Sequence, residues 1–576
     1  MRQQLEALRI QEDLPRTKEE QTDEWGTKPS TLEQVCVFLV SLPILGAAAT
    51  WLTFYCRLYE GDALSRTYAA AVVLYGSPHG LAMLGLLWSP LTSLLQIPLA
   101  LYSPFTVAGF SGRIVSALAG AFGLVLMDRI LFRHVPSAKV RLVILVIYQT
   151  NLLIFYYSIN GMSEMLLVTL ALACWDQFQR LYDELPRSNG ATHVALMGLF
   201  AGTAFLTRYE GLWLGLAVYV SLLIALVTRG HRKLALVRRD KGYRRLTAPD
   251  GTVVIEGYSL AYLTPFVYAI FLWLFFNWMI MGDPFNFLYG KGSNIQQSSV
   301  LVASNNILAA AKGDLFLSSA YAANQLYLIF PVFYLAAALL VLVSAIKRES
   351  LGVSLAIVAV SFPVFQLILT YLGQSFGSMR FYIYAIPFSV IGLAHVFRCL
   401  GYSHVTRGRI LQAALVIFVG ASSVLTAYGV SAPDAGREGE LLFLQSVVHN
   451  EPADNLAHEK EIADYLLEIP PDKKILADDQ QADGIILFTQ QFGRFVTTRN
   501  TGFADIARYP VGKVDYVLVP RVAPALNLIV QQHPDIYDRS APYLALEREF
   551  IGRDQPWKLY RVLNPPDIQG GRKDFG

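Results

Sequence analysis

Eleven apolar runs recur between residues 34 and 430, each near the roughly 20 residues a helix needs to cross the hydrocarbon core of a bilayer. They occupy 34–54, 110–132, 140–157, 163–179, 192–208, 211–228, 258–281, 325–346, 352–372, 380–398 and 409–430. A soluble core does not absorb so much apolar surface, so the pattern predicts a polytopic α-helical membrane protein with about 11 transmembrane helices. Composition agrees, with 54% of the 576 residues hydrophobic and 16% charged. A net charge of +3 gives no reason to expect nucleic acid as a partner.

Basic residues set the expected orientation, because Lys and Arg near span ends stay in the cytoplasm. They cluster at Arg129/Arg133/Lys139/Arg141, between Arg229 and Arg245, at Lys347/Arg348 and at Arg398/Arg407/Arg409. With the N-terminus inside and the spans alternating, every cluster falls on the cytoplasmic side. The loops holding Asp62, Glu164, Asp283 and Arg380 then face out, as does everything beyond residue 430. The first run follows a polar stretch without a small-residue cleavage site, so it reads as a retained signal anchor.

Three regions are expected: a polar cytoplasmic tail (1–33), a transmembrane domain (34–430) and an extracytoplasmic domain (431–576). Segment 78–104, rich in proline, does not fit the parity as a span; with 63–75 it reads as outer juxtamembrane helices or a re-entrant pair. Asp250-Gly251 between β-prone residues suggests a small hairpin across 244–255. In the last region, strands are expected at 475–477, 495–498, 516–519, 545–550 and 559–562, and helices near 458–468, 480–490 and 523–533. That is a small α/β domain, without a Gly-rich phosphate loop. Cys36, Cys56, Cys174 and Cys399 lack paired spacing and read as small core hydrophobes.

Charged residues at outer span boundaries are the candidates for chemistry. Glu60 and Asp62 flank Gly61 just after the first span. A carboxylate beside a partly desolvated pocket can take the proton of a hydroxyl nucleophile, or Asp62 can simply cap the helix starting near Ala63. Glu164 sits in the short Asn160-Gly161-Met162-Ser163-Glu164 connection, where Ser163 or Asn160 could cap the next helix and Glu164 could join Asp62. Arg208 and Glu210 can pair with each other, while an unpaired Arg208 would suit a lipid phosphate. Arg380, followed by Phe381 and Tyr382, offers a bidentate fork for phosphate oxygens or an interfacial anchor. Arg66, His79, Arg113 and Lys291 are weaker contacts. His/Cys metal spacing is not apparent; Glu60, Asp62 and Glu164 could hold a hard divalent ion.

In order and topology these motifs resemble the GT-C superfamily of integral-membrane glycosyltransferases, which includes protein O-mannosyltransferases and bacterial lipid A aminoarabinose transferases. The resemblance rests on Glu60-Gly61-Asp62-Ala63, Ser89-Pro90-Leu91, Gly112-Arg113-Ile114-Val115-Ser116-Ala117, Asn160-Gly161-Met162-Ser163-Glu164, Leu206-Thr207-Arg208-Tyr209-Glu210-Gly211, Gly282-Asp283-Pro284-Phe285 and Met379-Arg380-Phe381-Tyr382. It implies a GT-C-like fold in a bacterial inner membrane and an inverting transfer of sugar from a polyprenyl-phosphate donor to a glycan, lipid or protein acceptor. Asp62, or Glu60, would be the essential acid, with Glu164 assisting. Arg380, Arg208, Arg66, His79, Arg113, Glu210 and Tyr382 would serve donor phosphate or substrate. A divalent metal, if used, would fall to Asp62 and Glu164. Where many members have adjacent acids this chain reads Glu-Gly-Asp, so the choice between Glu60 and Asp62 stays open. A transporter or flippase of a lipid-linked or anionic solute is the rival class; it would place ionisable groups near mid-bilayer and use internal repeats.

Overall fold

All eleven apolar runs fold as helices in the computed structural model, which describes residues 29–185, 190–240, 251–290, 293–401, 405–432, 438–552 and 555–563. Among the described residues, eight helices are long and apolar enough to cross a bilayer, nine if one bent pair counts as a single span. The shortfall from eleven has local causes. Run 140–157 breaks at Asn151, whose side chain accepts from the backbone N–H groups of Leu153 and Ile154 and so starts a second short helix, Leu152–Tyr157. Run 163–179 extends to Glu164–Glu184 and takes Asp176, Arg180 and Asp183 with it. Run 325–346 bends by 105° between Leu315–Ile329 and Val332–Lys347, at Pro331.

The helices divide into a shell and a centre. Met379–Cys399 is 94% buried along its apolar window, whereas Thr31–Phe54, Ile255–Met281 and Thr406–Ser431 are each only 22% buried. Their open faces carry Leu39, Ile44, Phe271, Trp278, Ile417 and Val424, an apolar exposure that water would penalise and lipid accepts. Gly251–Met281 is one continuous helix, so the hairpin expected across 244–255 is not formed from residue 251 onward. Its first part, the tail up to residue 28 and Lys291 lie outside the described residues. Of the cysteines, Cys56 and Cys174 are buried as expected, while Cys36 is exposed.

The C-terminal region forms the expected α/β domain. Five strands, β1 (Ile475–Leu476), β2 (Phe495–Val496), β3 (Tyr516–Pro520), β4 (Leu544–Phe550) and β5 (Trp557–Val562), make one sheet in the order β2-β1-β3-β5-β4. The β1 pairings to β2 and β3 are parallel; β5 pairs antiparallel with β3 and β4. Alternation along the strands splits the core in two. Leu476, Val517, Val519 and Tyr560 pack with Phe503, Ala507, Ile529 and Val530 on one face. Ile475, Ala477, Leu518 and Leu559 pack on the other with helices Ala457–Glu468 and Asp479–Thr489.

That second face does not close on itself. Its remaining partners are Leu64, Tyr68, Ala71 and Val72, one stripe of the helix Gly61–Tyr75. The expected juxtamembrane helix therefore lies sandwiched between the helical bundle and the domain, instead of facing a lipid surface. Burying Leu64 alone removes enough apolar area to contribute about 1.5–3 kcal/mol. Met83 joins the same cluster, and Arg499 of the domain donates to the carbonyls of Met83 and Leu84 at 2.7 and 2.6 Å.

Candidate active site

Gly61–Tyr75 begins directly after Glu60, and Asp62 falls in its first turn, but neither carboxylate caps it: the N-cap position, Glu60, makes no side-chain cap bond. Instead the two acids take different partners. Glu60 accepts a short hydrogen bond from the Tyr156 hydroxyl and lies against Gly439, where the first helix of the C-terminal region, Glu438–His449, begins. Burial, reinforced by Glu440, pushes its carboxyl up to about 7. Asp62 turns toward the bundle and pairs with Arg380, Oδ2 to Nη2 2.9 Å, with a third of its side chain exposed. Burial opposes its charge, but Arg380, Arg66 and Arg208 together hold its carboxyl below the usual range.

Glu164 reaches the same cluster because the backbone turns at Gly161, with φ +88°. A Cβ there would stand 3.2 Å from the Ala63 Cβ and 3.4 Å from the Arg113 backbone nitrogen, so only glycine lets this turn lie against the Asp62 helix. Ser163 occupies the N-cap position but does not cap the helix; its hydroxyl accepts from Arg208 Nη1 at 3.1 Å. The same nitrogen lies 2.6 Å from Glu164 Oε1. Arg208 also forks onto Glu210, Nε to Oε2 3.2 Å and Nη2 to Oε1 2.8 Å, so the expected Arg208/Glu210 pair forms within a wider network. Arg380 Nε stands 3.6 Å from Glu164 Oε1, completing the chain Asp62, Arg380, Glu164, Arg208, Glu210. Both guanidinium groups lie over the Phe381 ring, at 5.4 Å for Arg208 and 5.2 Å for Arg380.

Arg66, one turn along from Asp62, donates to the Asp62 carbonyl at 3.0 Å and lies 5.3 Å from the Trp88 ring centroid. Three arginines thus face three carboxylates. Arg380 stands between Asp62 and Glu164, the two carboxylates to which a divalent metal, if used, would fall, and its own positive charge opposes a cation there.

Other expected contacts lie apart. Arg113 is buried, donates to the Leu58 carbonyl and stacks 5.7 Å from the Tyr59 ring, so it braces the strand of chain leading into Glu60. His79 is exposed in the loop after the Asp62 helix and is not among the charges. Tyr382 is buried in the main core, its electrostatic neighbours being Tyr321 and Tyr334. A cavity of about 620 Å³ also lies elsewhere, lined by Tyr75, Pro104, Gln490 and Arg494 among others.

Several participants carried no signal in the sequence. Glu440 accepts from the Tyr157 hydroxyl at 2.6 Å, setting a second buried carboxylate behind Glu60, and burial raises its carboxyl too. Asp483 accepts from Ser65 on the Asp62 helix, and burial pushes it up to about 8. Only the docking of the C-terminal region onto the bundle brings these acids close.

Fold and site together define a polytopic membrane protein in which acids and arginines from four separate segments meet at the bundle end covered by an α/β domain. In overall shape the chain is similar to ArnT from Cupriavidus metallidurans bound to undecaprenyl phosphate (TM-score 0.49, 14% identity, 92% of this chain and 98% of that one). It is also similar to the archaeal oligosaccharyltransferase AglB from Archaeoglobus fulgidus in complex with an inhibitory peptide and a dolichol-phosphate (TM-score 0.40, 12% identity, 85% and 70%). No family model and no curated protein matches the chain.

Proposed function

We propose that this chain is a GT-C-like membrane glycosyltransferase that moves a sugar from a polyprenyl-phosphate donor to a hydroxyl of a glycan, lipid or protein, on the extracytoplasmic side of the membrane. The observation that carries the reading is the meeting of Asp62 with Arg380, Glu164 and Arg208 at one point, with Asp62 the most open member. A base and two phosphate-binding forks are what transfer from a lipid phosphate needs.

In the proposed step the acceptor oxygen attacks the anomeric carbon and its proton passes to the Asp62 carboxylate. The bond from that carbon to the phosphate oxygen breaks, and the electron pair leaves with the polyprenyl phosphate. Attack from the side opposite the phosphate inverts the centre. Arg380 and Arg208 hold the leaving phosphate, whose charge grows as the bond breaks. Glu164 positions both arginines. Arg380 also couples donor to base: a phosphate accepting from Arg380 weakens its pull on Asp62, raising the basicity of the carboxylate only when the donor is present.

The deciding experiment is a transfer assay in reconstituted vesicles with a sugar-loaded undecaprenyl phosphate, comparing the native chain with Asp62→Asn. Transfer by the native chain and its loss in the variant supports the reading. Movement of the lipid across the bilayer without sugar transfer would replace it with the transporter class.

A further inference from the structure

At the end of the bundle away from Asp62, Met379–Cys399 presents two donors one turn apart, His395 and Cys399, facing Glu349 at the N-cap of Ser350–Leu372. Cys399, expected to be a plain core hydrophobe, is one corner of a triad. Its Sγ lies 3.2 Å from Glu349 Oε2 and 3.6 Å from His395 Nε2, and that nitrogen lies 3.2 Å from the same carboxylate oxygen. Zinc at its usual bond lengths to sulfur (about 2.3 Å) and to nitrogen and oxygen (about 2.0–2.2 Å) sets tetrahedral donors about 3.3–3.6 Å apart. The triangle is one face of such a tetrahedron.

A second observation concerns the space beside it. A Cβ at Gly352 would stand 2.1 Å from Ser344 Oγ and 3.2 Å from His395 Nε2, so the missing side chain lets the Ser344 hydroxyl lie beside the imidazole. Ser344 Oγ is buried and has no hydrogen-bond partner, which places a polar group where a fourth ligand, a water, needs one. His395 is almost fully buried, but Glu349 is 27% exposed and opens a path for an ion.

We propose that Glu349, His395 and Cys399 bind a zinc ion. Thiolate and imidazole select a borderline-soft metal over magnesium or calcium. Arg398 and Lys347 act on the triad and would repel a cation, so the ligands must neutralise the ion themselves. One thiolate and one carboxylate neutralise zinc fully. On binding, the Cys399 thiol that now donates to Glu349 releases its proton to water and the sulfur bonds to the metal, while neutral His395 binds through an unprotonated Nε2 with its one ring proton on Nδ1. The ion then ties the start of Ser350–Leu372 to the end of Met379–Cys399, the central helix whose other end carries Arg380, about 30 Å away along the helix axis. This clamp is independent of the transfer reaction.

The test uses the full-length chain in detergent, stripped with a chelator and reloaded with zinc or cobalt(II) alone. About one metal per chain is expected, with the thiolate-to-cobalt charge-transfer absorption that only sulfur ligation produces. Zinc should raise the thermal midpoint of the native chain but not that of Cys399→Ser or Glu349→Gln. Absence of the cobalt–thiolate band in the native chain overturns the proposal without recourse to any variant. Equal zinc retention by Cys399→Ser overturns it as well, because the metal would then sit elsewhere.

Discussion

Arg380 holds Asp62 at 2.9 Å across the gap between the helix that opens the acidic segment and the most deeply buried helix of the bundle. Neither side chain is sealed: Asp62 is 33% and Arg380 20% exposed. A closed ion pair would serve only stability, whereas this one faces a space from which a ligand can compete for either charge.

Asp62→Asn should therefore reduce transfer by at least about 100-fold, the contribution of a placed general base, while leaving the thermal midpoint within a few degrees. Rates and unfolding curves on the same preparation check it. A variant retaining most of its turnover would remove Asp62 from the role of base.

Arg380→Ala should act on the donor. Donor affinity falls, and the pH at which the rate rises shifts upward, because Asp62 loses the cation that does most to hold its pKa down. A pH–rate profile unchanged in position would show that Arg380 does not tune the carboxylate.

Arg208→Met should be costly to stability. It leaves Glu164, whose side chain is 1% exposed, with the longer 3.6 Å contact to Arg380, takes the guanidinium fork from Glu210, 9% exposed, and breaking a buried pair from one side costs about 3–5 kcal/mol. Adding Glu164→Gln and Glu210→Gln should recover part of that loss in denaturation measurements. If the triple variant is no more stable than the single one, the network is not what Arg208 supports.

Glu60 gives a pH dependence of opposite sign to an ordinary salt-bridged acid. Its folded-state value is raised from 4.5 to about 7, so between those two pH values the native chain holds a proton that the unfolded chain has lost. Stability should fall as pH rises across that window, by at most about 1.4 kcal/mol per pH unit, and level off above it. Glu60→Gln should flatten this contribution and be the more stable form at pH 8. Superimposable pH–stability curves for the two proteins would contradict the burial argument.

Gly161→Ala tests how the site is assembled. The turn needs positive φ, and the added Cβ meets Ala63 at 3.2 Å. A cost of about 1–3 kcal/mol is expected, with a larger relative loss of transfer as Glu164 is pushed from Arg208. Full activity would mean that Glu164 does not position the arginines.

The elements were legible where period and composition decide them. All eleven apolar runs became helices, and all five expected strands appear within two residues of their expected bounds, because alternation and β-branched content suit a half-buried sheet. Runs broken by Asn151 or bent at Pro331 are not single straight helices, since hydropathy averages over a single residue that redirects the backbone. Asp62, Glu164, Arg208, Glu210 and Arg380 stood out as charges that an apolar chain must have a reason to keep, whereas Glu440 and Asp483 did not. Their pairing was not. Whether Glu60 or Asp62 faces Arg380 depends on one step of helix rotation, and on a domain docking against Leu64 and Tyr68 from the far end of the chain.

The sequence by itself determined which segments are helix, which are strand and where charge is tolerated, because those follow from local periodicity and the cost of burying polar groups. Only the tertiary structure decided that Asp62 meets the arginines while Glu60 is shut away with Tyr156. Only it drew Glu349, His395 and Cys399 into a triangle of donors. Contacts between distant segments are set by how whole helices pack, and no window of sequence contains that.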